Sequence, residues 1–365
     1  MVSDRFGNCY TYQEIKQPNS PQNIGAGGGS FGCADPAVNV SLDFFELTFQ
    51  DCIQGTGIGF DANGGDPNGD KRKTVCRAFA YLETLIEPNQ NPCNLPNGFG
   101  SKVAVDIRIS DHPELPETAG AAASAYYPYN QTDYGTITGF PWQVINGDVE
   151  EFEFLPLAFH GYIMFRASSS SQVTFNGWYT DENTPIPSNS NQFDLFSVTL
   201  HEAMHMLGFS SNLGVNGAPV QTFSTNYDRF DSFLQLDNGT PVITNNPVGS
   251  YDWQLNVAPT DLHQSCQGSS SGPDMVFQPL SGAAVPLFTG ANYIGGSSFA
   301  HLGLDCDGTT TAPFVMRPSL SQGEATPALT PEELQILCSL GYSINGTCDC
   351  ELAGVDDYGP ACTPD

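Results

Sequence analysis

Two histidines four residues apart, with a glutamate directly after the first, form the most chemically informative stretch of this 365-residue sequence. They are His201, Glu202 and His205 in SVTLHEAMHMLGFSS. Residues i and i+4 lie one above the other on a helix, so both imidazoles can reach one point. Neutral imidazole nitrogens are good ligands for Zn²⁺. We therefore predict a metal site with Zn²⁺ as its metal.

The glutamate in the motif has a different expected role from the histidines. Glu202 lies about 100° around the helix from His201, so it is poorly placed as a third ligand. It can reach a water molecule at the metal and act as a general base. The alternative is an amphipathic core helix whose two histidines are satisfied by ordinary hydrogen bonds. The complete motif within a good helical pattern favours the metal site.

A helix around the motif is predicted from apolar spacing. No proline interrupts residues 192–207, and Gly208 stands where a left-handed C-cap is expected. The apolar residues that recur at helical spacing and would face a core are Phe193, Phe196, Leu200, Ala203, Met204 and Leu207.

A catalytic zinc usually has three protein ligands and one open position, so a third ligand must be found. No glutamate lies between Glu202 and Glu324, which argues against a glutamate from a following helix. In the compact motif H-E-x-x-H-x-x-G-x-x-H the third histidine would fall at position 211, which is Ser211. Only His263 and His301 remain further along the chain.

His301 is the favoured third ligand because Met316 follows it in TAPFVMRPSL. A methionine turn soon after the last histidine is the other mark of metzincins, and Met316 would pack beneath the metal. His263 has no such sequel. Carboxylate oxygen also binds zinc, so three aspartates remain as alternatives: Asp228, Asp231 and Asp305.

The motif, a long insertion, a later histidine and a methionine turn together resemble the leishmanolysin-type metzincins and their secreted bacterial relatives. The resemblance spans most of residues 50–345 and includes GTGIGFDANGGDPNGDKRKTVCRAFAYLETLI, YDRFDSFLQLDNG and LTPEELQILCSLGYSI. It implies an α+β zincin with a mixed, twisted, five-stranded sheet and an active-site helix. Below these, it implies an irregular lower subdomain with a Met-turn and a C-terminal helix. The insertion before His301 is longer than the family pattern.

The expected activity is hydrolysis of peptide bonds in a protein or peptide substrate. His201, His205 and His301 would hold Zn²⁺, while Glu202 takes a proton from the attacking water and delivers it to the leaving amine. The alternative is a non-catalytic or latent zinc-binding surface or adhesion module. Glu202 argues against it, because a structural zinc site normally has four protein ligands and needs no base.

Composition restricts the partners and the compartment. The chain has 11 basic and 40 acidic residues, so binding to nucleic acid or to an anionic membrane surface is not expected. No apolar run is long enough to span a membrane, so no membrane insertion is expected. Eleven cysteines predict disulfides and an oxidising compartment, hence a secreted or cell-surface protein, which we expect to be monomeric.

The cysteine connectivity is open. The odd count leaves at least one cysteine without a partner in the chain, and Cys9 or Cys33 could cap zinc in a latent form, although ordinary disulfides are favoured there. The sequence-close pairs expected are Cys338 with Cys348 or Cys350, and Cys266 with Cys306.

Organisation along the chain follows from composition. We expect an irregular N-terminal arm at 1–40, a catalytic subdomain at 41–208, a second subdomain with the third ligand and the Met-turn at 209–347, and a tail or linker at 348–365. Calcium is a second expected ion, held by Asp61, Asp66 and Asp70 in a carboxylate-rich turn, with a solvated turn as the alternative.

The expected elements around the site are strands and two further helices. Helices are predicted at about 71–86 and after Thr330, where Pro331, a capping box at Glu333 and Gly341 mark its start and end. His160 is expected to be structural. Strands are predicted in VSLDFFELTFQ (40–50), KVAVDIRIS (102–110), GTITGFPWQVI (135–145) and LAFHGYIMFRA (157–167), and one of the last two should form the edge of the cleft.

Overall fold

The computed structural model describes a defined part of the chain. The described residues are 2–3, 9–10, 39–49, 59–60, 65–88, 102–109, 115, 119–125, 127–128, 139–146, 159–167, 169–170, 173–219, 227–245, 253–263, 275–289, 293, 297–303 and 314–344.

The described elements are four α-helices, two 3₁₀ helices and seventeen short strands. The α-helices are α1 Asp70–Leu85, α2 Phe140–Asn146, α3 Leu195–Met206 and α4 Pro331–Ser339, and the 3₁₀ helices are Arg229–Phe233 and Pro259–His263. The strands are β1 Val2–Ser3, β2 Cys9–Tyr10, β3 Asn39–Ser41, β4 Phe45–Phe49, β5 Ile86–Glu87, β6 Val103–Ile109, β7 Ala121–Ala125, β8 Tyr127–Pro128, β9 Gly161–Phe165, β10 Trp178–Tyr179, β11 Phe193–Asp194, β12 Leu234–Leu236, β13 Ile243–Asn245, β14 Trp253–Leu255, β15 Met275–Phe277, β16 Val285–Pro286 and β17 Ser343–Ile344.

A five-stranded mixed sheet is the largest sheet, with strand order β3-β4-β6-β9-β7. The three central strands β4, β6 and β9 run parallel, and the outer strands β3 and β7 are antiparallel to their neighbours. The remaining strands form five small sheets of two or three strands. The fold class is therefore α+β, as the sequence predicted.

Helices α1 and α3 pack together and cover the sheet, with α3 lying against β7 and β9. Strand β9 is fully buried, and the apolar side chains of β4, β6 and α1 continue the same core. The rings of Phe45 and Phe79 meet edge to face with centroids 4.8 Å apart, which joins β4 to α1. The helix that carries the histidine motif is thus held by the main core.

The prediction of one strand over residues 40–50 is wrong, because the chain turns back on itself there. Strands β3 and β4 form an antiparallel hairpin with Ser41 paired to Glu46. Glu83 of α1 holds the turn, since its Oε1 atom accepts from the backbone N–H groups of Phe44 and Phe45 at 2.8 and 3.0 Å. This partner lies almost 40 residues away, so local alternation could not predict the turn.

The strand predicted over residues 135–145 is also wrong where the structure describes it. Phe140–Asn146 is helix α2, buried along most of its length. Pro141 lies in its first turn, where a proline is tolerated and its fixed φ favours a helix. A short apolar run does not distinguish a buried helix from a buried strand, so the interpretation failed.

The edge of the sheet beside α3 is β7, and neither of the two predicted strands provides it. Strand β9, from the predicted run 157–167, is internal, with β6 on one side and β7 on the other. The alanine-rich segment Ala121–Ala125 gave no strong strand signal, since alanine is depleted in strands. Its position at the edge results from its pairing with β9 in the assembled sheet.

The C-terminal helix α4 begins and ends as predicted. Thr330 is its N-cap, Pro331 is in its first turn, and the Thr330–Glu333 capping box is formed. Gly341 follows the helix with φ 99°, a left-handed conformation that glycine adopts without strain.

Contacts cross the boundary predicted between the two subdomains at residue 208. Strand β17 pairs with β5, and the Tyr342 hydroxyl donates to the Leu207 carbonyl over 2.7 Å. Trp142 Nε1 donates to the carbonyl of Leu340 over 2.6 Å. These bonds fasten the chain after α4 to α3 and to the N-terminal half.

Several sequence predictions fall largely or wholly outside the described residues. Most of the arm 1–40 and all of the tail 348–365 lie there, as do Cys33, Cys266 and Cys306. Cys76 and Cys338 are each in a disulfide bond, while the pairing of Cys338 with Cys348 or Cys350 stays a prediction. None of the helices in the described part of the chain has the length and apolar character of a membrane span.

Candidate metal centre

Helix α3 begins at an acidic cap and ends just after the second histidine. Asp194 is the N-cap, and its Oδ1 atom accepts from the backbone N–H of Ser197 at 2.8 Å. Phe193, which the apolar spacing assigned to the helix, precedes it in β11. Gly208 has φ 99° and ends it as expected.

His201, His205 and His301 bring their Nε2 atoms together. The Nε2 atom of His205 lies 3.1 Å from that of His201 and 3.2 Å from that of His301. The third separation, between His301 and His201, is 3.2 Å. These three side chains form a group able to hold a metal ion, and they combine two residues of α3 with one that lies about 100 residues later.

Every one of the three rings is oriented by a backbone carbonyl. His201 Nδ1 lies 2.7 Å from the Val315 oxygen, and His205 Nδ1 lies 2.7 Å from the Phe209 oxygen. His301 Nδ1 lies 2.8 Å from the carbonyl oxygen of Ser297. A carbonyl oxygen only accepts, so each Nδ1 carries the hydrogen and donates it. In the neutral rings, each Nε2 therefore presents a lone pair to the shared point.

The separations fit a tetrahedral metal ion. Three nitrogens at the usual zinc–nitrogen distance in a tetrahedral site would be about 3.3–3.4 Å apart. The observed 3.1–3.2 Å is within a few tenths of an ångström of that value. Three lone pairs at such distances repel each other unless a cation lies between them, so the donor set and its geometry both favour a metal.

Glu202 follows His201 on α3 and is buried, with 5% of its surface exposed. It is not among the three side chains that form the histidine group. Its place next to a ligand on the same helix is what a base close to a metal requires. Its role remains a prediction.

The loop after α3 is fixed by two aspartates that the sequence offered as alternative ligands. Asp231 is fully buried and accepts from the Ser211 hydroxyl at 2.6 Å and from the Asn212 N–H at 3.0 Å. Asp228 accepts from the Ser210 hydroxyl at 2.9 Å. Burial raises the pKa of Asp231 to about 7, although its donors favour the charged form. Both carboxylates thus hold the loop and are not in the metal group.

The position that a compact motif gives to its third histidine has another use here. Ser211 donates its hydroxyl to Asp231, which keeps the chain close to α3 after Gly208. The Phe209 carbonyl that orients His205 is two residues before Ser211. The loop therefore supports the ring of a ligand and does not supply one.

His301 follows a strained turn. Phe299 has φ 68°, in the left-handed region that bulky residues rarely adopt. It is fully buried, and its N–H donates to the Phe288 carbonyl over 3.0 Å. The Phe288 N–H in turn donates to the His301 carbonyl over 2.8 Å. Burial of Phe299 and its backbone hydrogen bond maintain this strained conformation. The turn lies between Ser297, whose carbonyl oxygen contacts the His301 ring, and His301 itself.

Met316 lies in a turn that contacts both His201 on α3 and Leu302, the residue after His301. It is fully buried, and its carbonyl accepts from the N–H of Leu302, next to His301, at 2.7 Å. The preceding residue, Val315, provides the carbonyl that orients His201. The Met316 N–H donates to Glu333 of α4 over 2.7 Å. Packing of the Met316 side chain beneath a metal stays a prediction.

The expected calcium residues are used otherwise where the structure describes them. Asp66 accepts from the N–H groups of Lys71 and Arg72 at 3.0 and 3.1 Å and pairs with the Arg72 guanidinium. Asp70 pairs with Lys73, and Asp61 lies outside the described residues. Among the described residues the histidine group is the one cluster of metal-binding side chains.

His160 is structural, as predicted. The ring Nδ1 atom of His160 accepts from the Ala104 N–H at 2.8 Å. The backbone N–H of His160 donates to the Ala104 carbonyl over 2.8 Å. The pair joins the segment before β9 to β6. Burial lowers the pKa of its imidazole to about 4.

Sequence reasoning missed the contacts by which Asp231, Phe299 and Glu333 hold the segments around the histidine group. The sequence alone presents Asp231 as an alternative ligand and Glu333 as part of a helix cap. Their other contacts are long-range, so no local spacing could indicate them.

No known family, curated protein or solved structure matches this chain.

Proposed function

We propose that this protein is a zinc-dependent endopeptidase of the leishmanolysin-like metzincin type, secreted or held at a cell surface. The observation that carries the proposal is the convergence of three Nε2 atoms, with the buried Glu202 directly after His201 on the same helix. The acidic, cysteine-rich composition supports the extracellular setting. The resemblance of the motif and the methionine turn supports the family.

The ligands in this proposal are His201, His205 and His301, through Nε2. A bound Zn²⁺ supplies Lewis-acid chemistry, since it lowers the pKa of water and polarises a carbonyl oxygen. The Nδ1–carbonyl bonds keep each ring in the tautomer that a metal needs. Three protein donors would leave a bound zinc able to accept a water molecule, as catalytic zinc sites do.

Glu202 moves the proton. Its carboxylate takes a proton from water as the water oxygen bonds to the carbon of the scissile carbonyl. It then delivers that proton to the amide nitrogen as the carbon–nitrogen bond breaks. An extended substrate would lie along β7, the strand at the edge of the main sheet beside α3.

The test compares Glu202→Gln, His301→Ala and a surface control, Glu182→Gln, whose side chain is half exposed and pairs with Arg77. We expect Glu202→Gln to retain zinc and lose hydrolysis of casein by about 10²–10⁴-fold. His301→Ala should lose both zinc and activity, and Glu182→Gln should lose neither. Elemental analysis and a casein assay give the two readouts.

Two outcomes would contradict the proposal. Unchanged hydrolysis in Glu202→Gln would exclude Glu202 as the base. Zinc bound by the wild-type protein without hydrolysis of casein or of a peptide library would favour the non-catalytic zinc-binding module.

A further inference from the structure

Glu333 is fully buried, although it is the N3 residue of a helix capping box. Its Oε2 atom accepts from the Thr330 N–H at 2.8 Å, which is the usual bond of such a box. Its Oε1 atom accepts from the Met316 N–H at 2.7 Å, which is not part of the box. One carboxylate therefore joins the start of α4 to the methionine turn.

Burial of the Glu333 carboxylate is more unfavourable to stability than helix capping is favourable. A helix cap makes only a small contribution to stability, whereas removing a carboxylate from water is strongly unfavourable. Burial raises the pKa of Glu333 to about 7, even though the surrounding backbone N–H groups favour its charged form. Capping of α4 alone does not account for a buried carboxylate here, so the bond to Met316 needs an explanation.

The turn that Glu333 holds is the one that orients the ligands. The Val315 carbonyl accepts from His201 Nδ1 at 2.7 Å. One residue later, the Met316 carbonyl accepts from the Leu302 N–H at 2.7 Å, directly after His301. A shift of this turn would therefore move the acceptor of one ligand and the backbone next to another.

We propose that Glu333 is a positioning residue of the metal centre, which acts through Met316 and Val315 on His201 and through Leu302 on His301. The inference rests on the proposed function only in that the histidine group binds zinc. It adds that α4, through Glu333, helps to position the histidines of the site.

The experiment separates this role from helix capping with a matched pair, Glu333→Gln and Thr330→Ala. Thr330→Ala removes the hydroxyl that accepts from the Glu333 N–H but leaves the bond to Met316. Glu333→Gln keeps the size of the side chain, but its amide –NH₂ must face one of the two N–H donors that the carboxylate satisfied. Both changes weaken the cap, and only Glu333→Gln disturbs the turn.

Zinc affinity is measured on the full chain by competition with a chromophoric chelator, and the visible spectrum of the Co²⁺-loaded protein reports the ligand geometry. We expect zinc binding to weaken by about tenfold or more in Glu333→Gln, as for other residues that support ligands. We also expect an altered Co²⁺ spectrum there. Thr330→Ala should keep the wild-type affinity and spectrum despite a lower unfolding temperature.

Equal zinc affinity and identical Co²⁺ spectra in the two variants would overturn the inference. Absence of zinc binding by the wild-type protein would instead refute the proposed function, so the two failures are distinguishable. Should Glu333→Gln not fold, Met316→Pro provides the second test, because proline lacks the N–H that Glu333 accepts. Wild-type zinc affinity in Met316→Pro would again overturn the inference.

Discussion

Gly161 lies where β9 meets the end of α3, the helix that carries His201 and His205, and there is no room for a side chain. A Cβ atom there would lie 2.6 Å from Cγ and 2.9 Å from Sδ of Met206, which directly follows His205, and 3.0 Å from the Ser124 carbonyl. We expect Gly161→Ala to lower the free energy of unfolding by about 1–3 kcal/mol, because the core would be overpacked. Urea denaturation measures the change.

Gly120, in the same sheet region, is the matched control. A Cβ atom at Gly120 would have no neighbour within 4 Å. We expect Gly120→Ala to unfold at nearly the wild-type urea concentration. Equal destabilisation by the two alanines would show that the close contact with Met206 is not the cause.

The buried His160 predicts a pH dependence of stability. Its pKa is lowered from 6.5 to about 4 by burial, so below pH 6.5 the unfolded chain takes up a proton that the folded chain refuses. The stability from this group is present above pH 6.5 and is lost as the pH falls toward 4. The loss is about 3 kcal/mol at 1.36 kcal/mol per pH unit.

His160→Asn removes this titration and offers an amide oxygen to the Ala104 N–H. We expect a flatter dependence of unfolding free energy on pH between 4 and 6.5 than in the wild type. The metal-site histidines are common to both proteins, so the difference isolates His160. Equal slopes in urea titrations across this range would refute the assignment.

At the scale of elements, the cap of α3 connects the helix to the chain after the methionine turn. Asp194 accepts from both the N–H and the hydroxyl of Ser197, and that hydroxyl accepts from the Thr326 N–H at 2.8 Å. We expect Asp194→Ala to lower the free energy of unfolding by about 0.5–2 kcal/mol. Asp194→Asn should retain most of it, since asparagine caps equally well, and chemical denaturation distinguishes the two.

Elements with local signals could be predicted from the sequence. Helix α4 carries its cap, its proline and its terminal glycine within a dozen residues, and each has the predicted role. The pair His201 and His205 could be predicted because four-residue spacing on a helix fixes their relative position. His301 could be chosen because Met316 follows it, and the structure brings His301 to the other two.

Elements and contacts that depend on distant partners could not be predicted. Residues 140–146 are apolar in a way that suits a strand or a helix, and packing decides for the helix. The turn between β3 and β4 depends on Glu83 in α1. The bond from Met316 to Glu333 joins residues 17 apart in different elements, and neither residue's type announces it.

At the scale of the whole molecule, a metal at the histidine group would connect α3 to the downstream chain. We expect removal of the metal by a chelator to lower the thermal unfolding midpoint. A ligand at a thousandfold excess over its Kd stabilises a protein by about 4 kcal/mol. Differential scanning calorimetry with and without the chelator measures the shift.

His301→Ala is the reference for this experiment. We expect its unfolding midpoint to be low already and insensitive to the chelator. A wild-type midpoint that does not respond to the chelator would mean that the histidine group contributes no metal-linked stability.

The separation of His205 and His301 by 96 positions in the sequence has a consequence for the tolerance of the chain to length changes. The entropy lost on closing a flexible loop grows only with the logarithm of its length, so doubling such a loop costs about 0.6 kcal/mol. Both ends of the stretch between the two histidines are held by contacts of their own. Asp231 holds the end beside α3, and the Phe299 turn holds the end before His301. An insertion in an exposed turn of this stretch, such as Asp237–Gly239 after β12, should therefore lengthen the chain at small energetic cost while the three imidazoles stay in place.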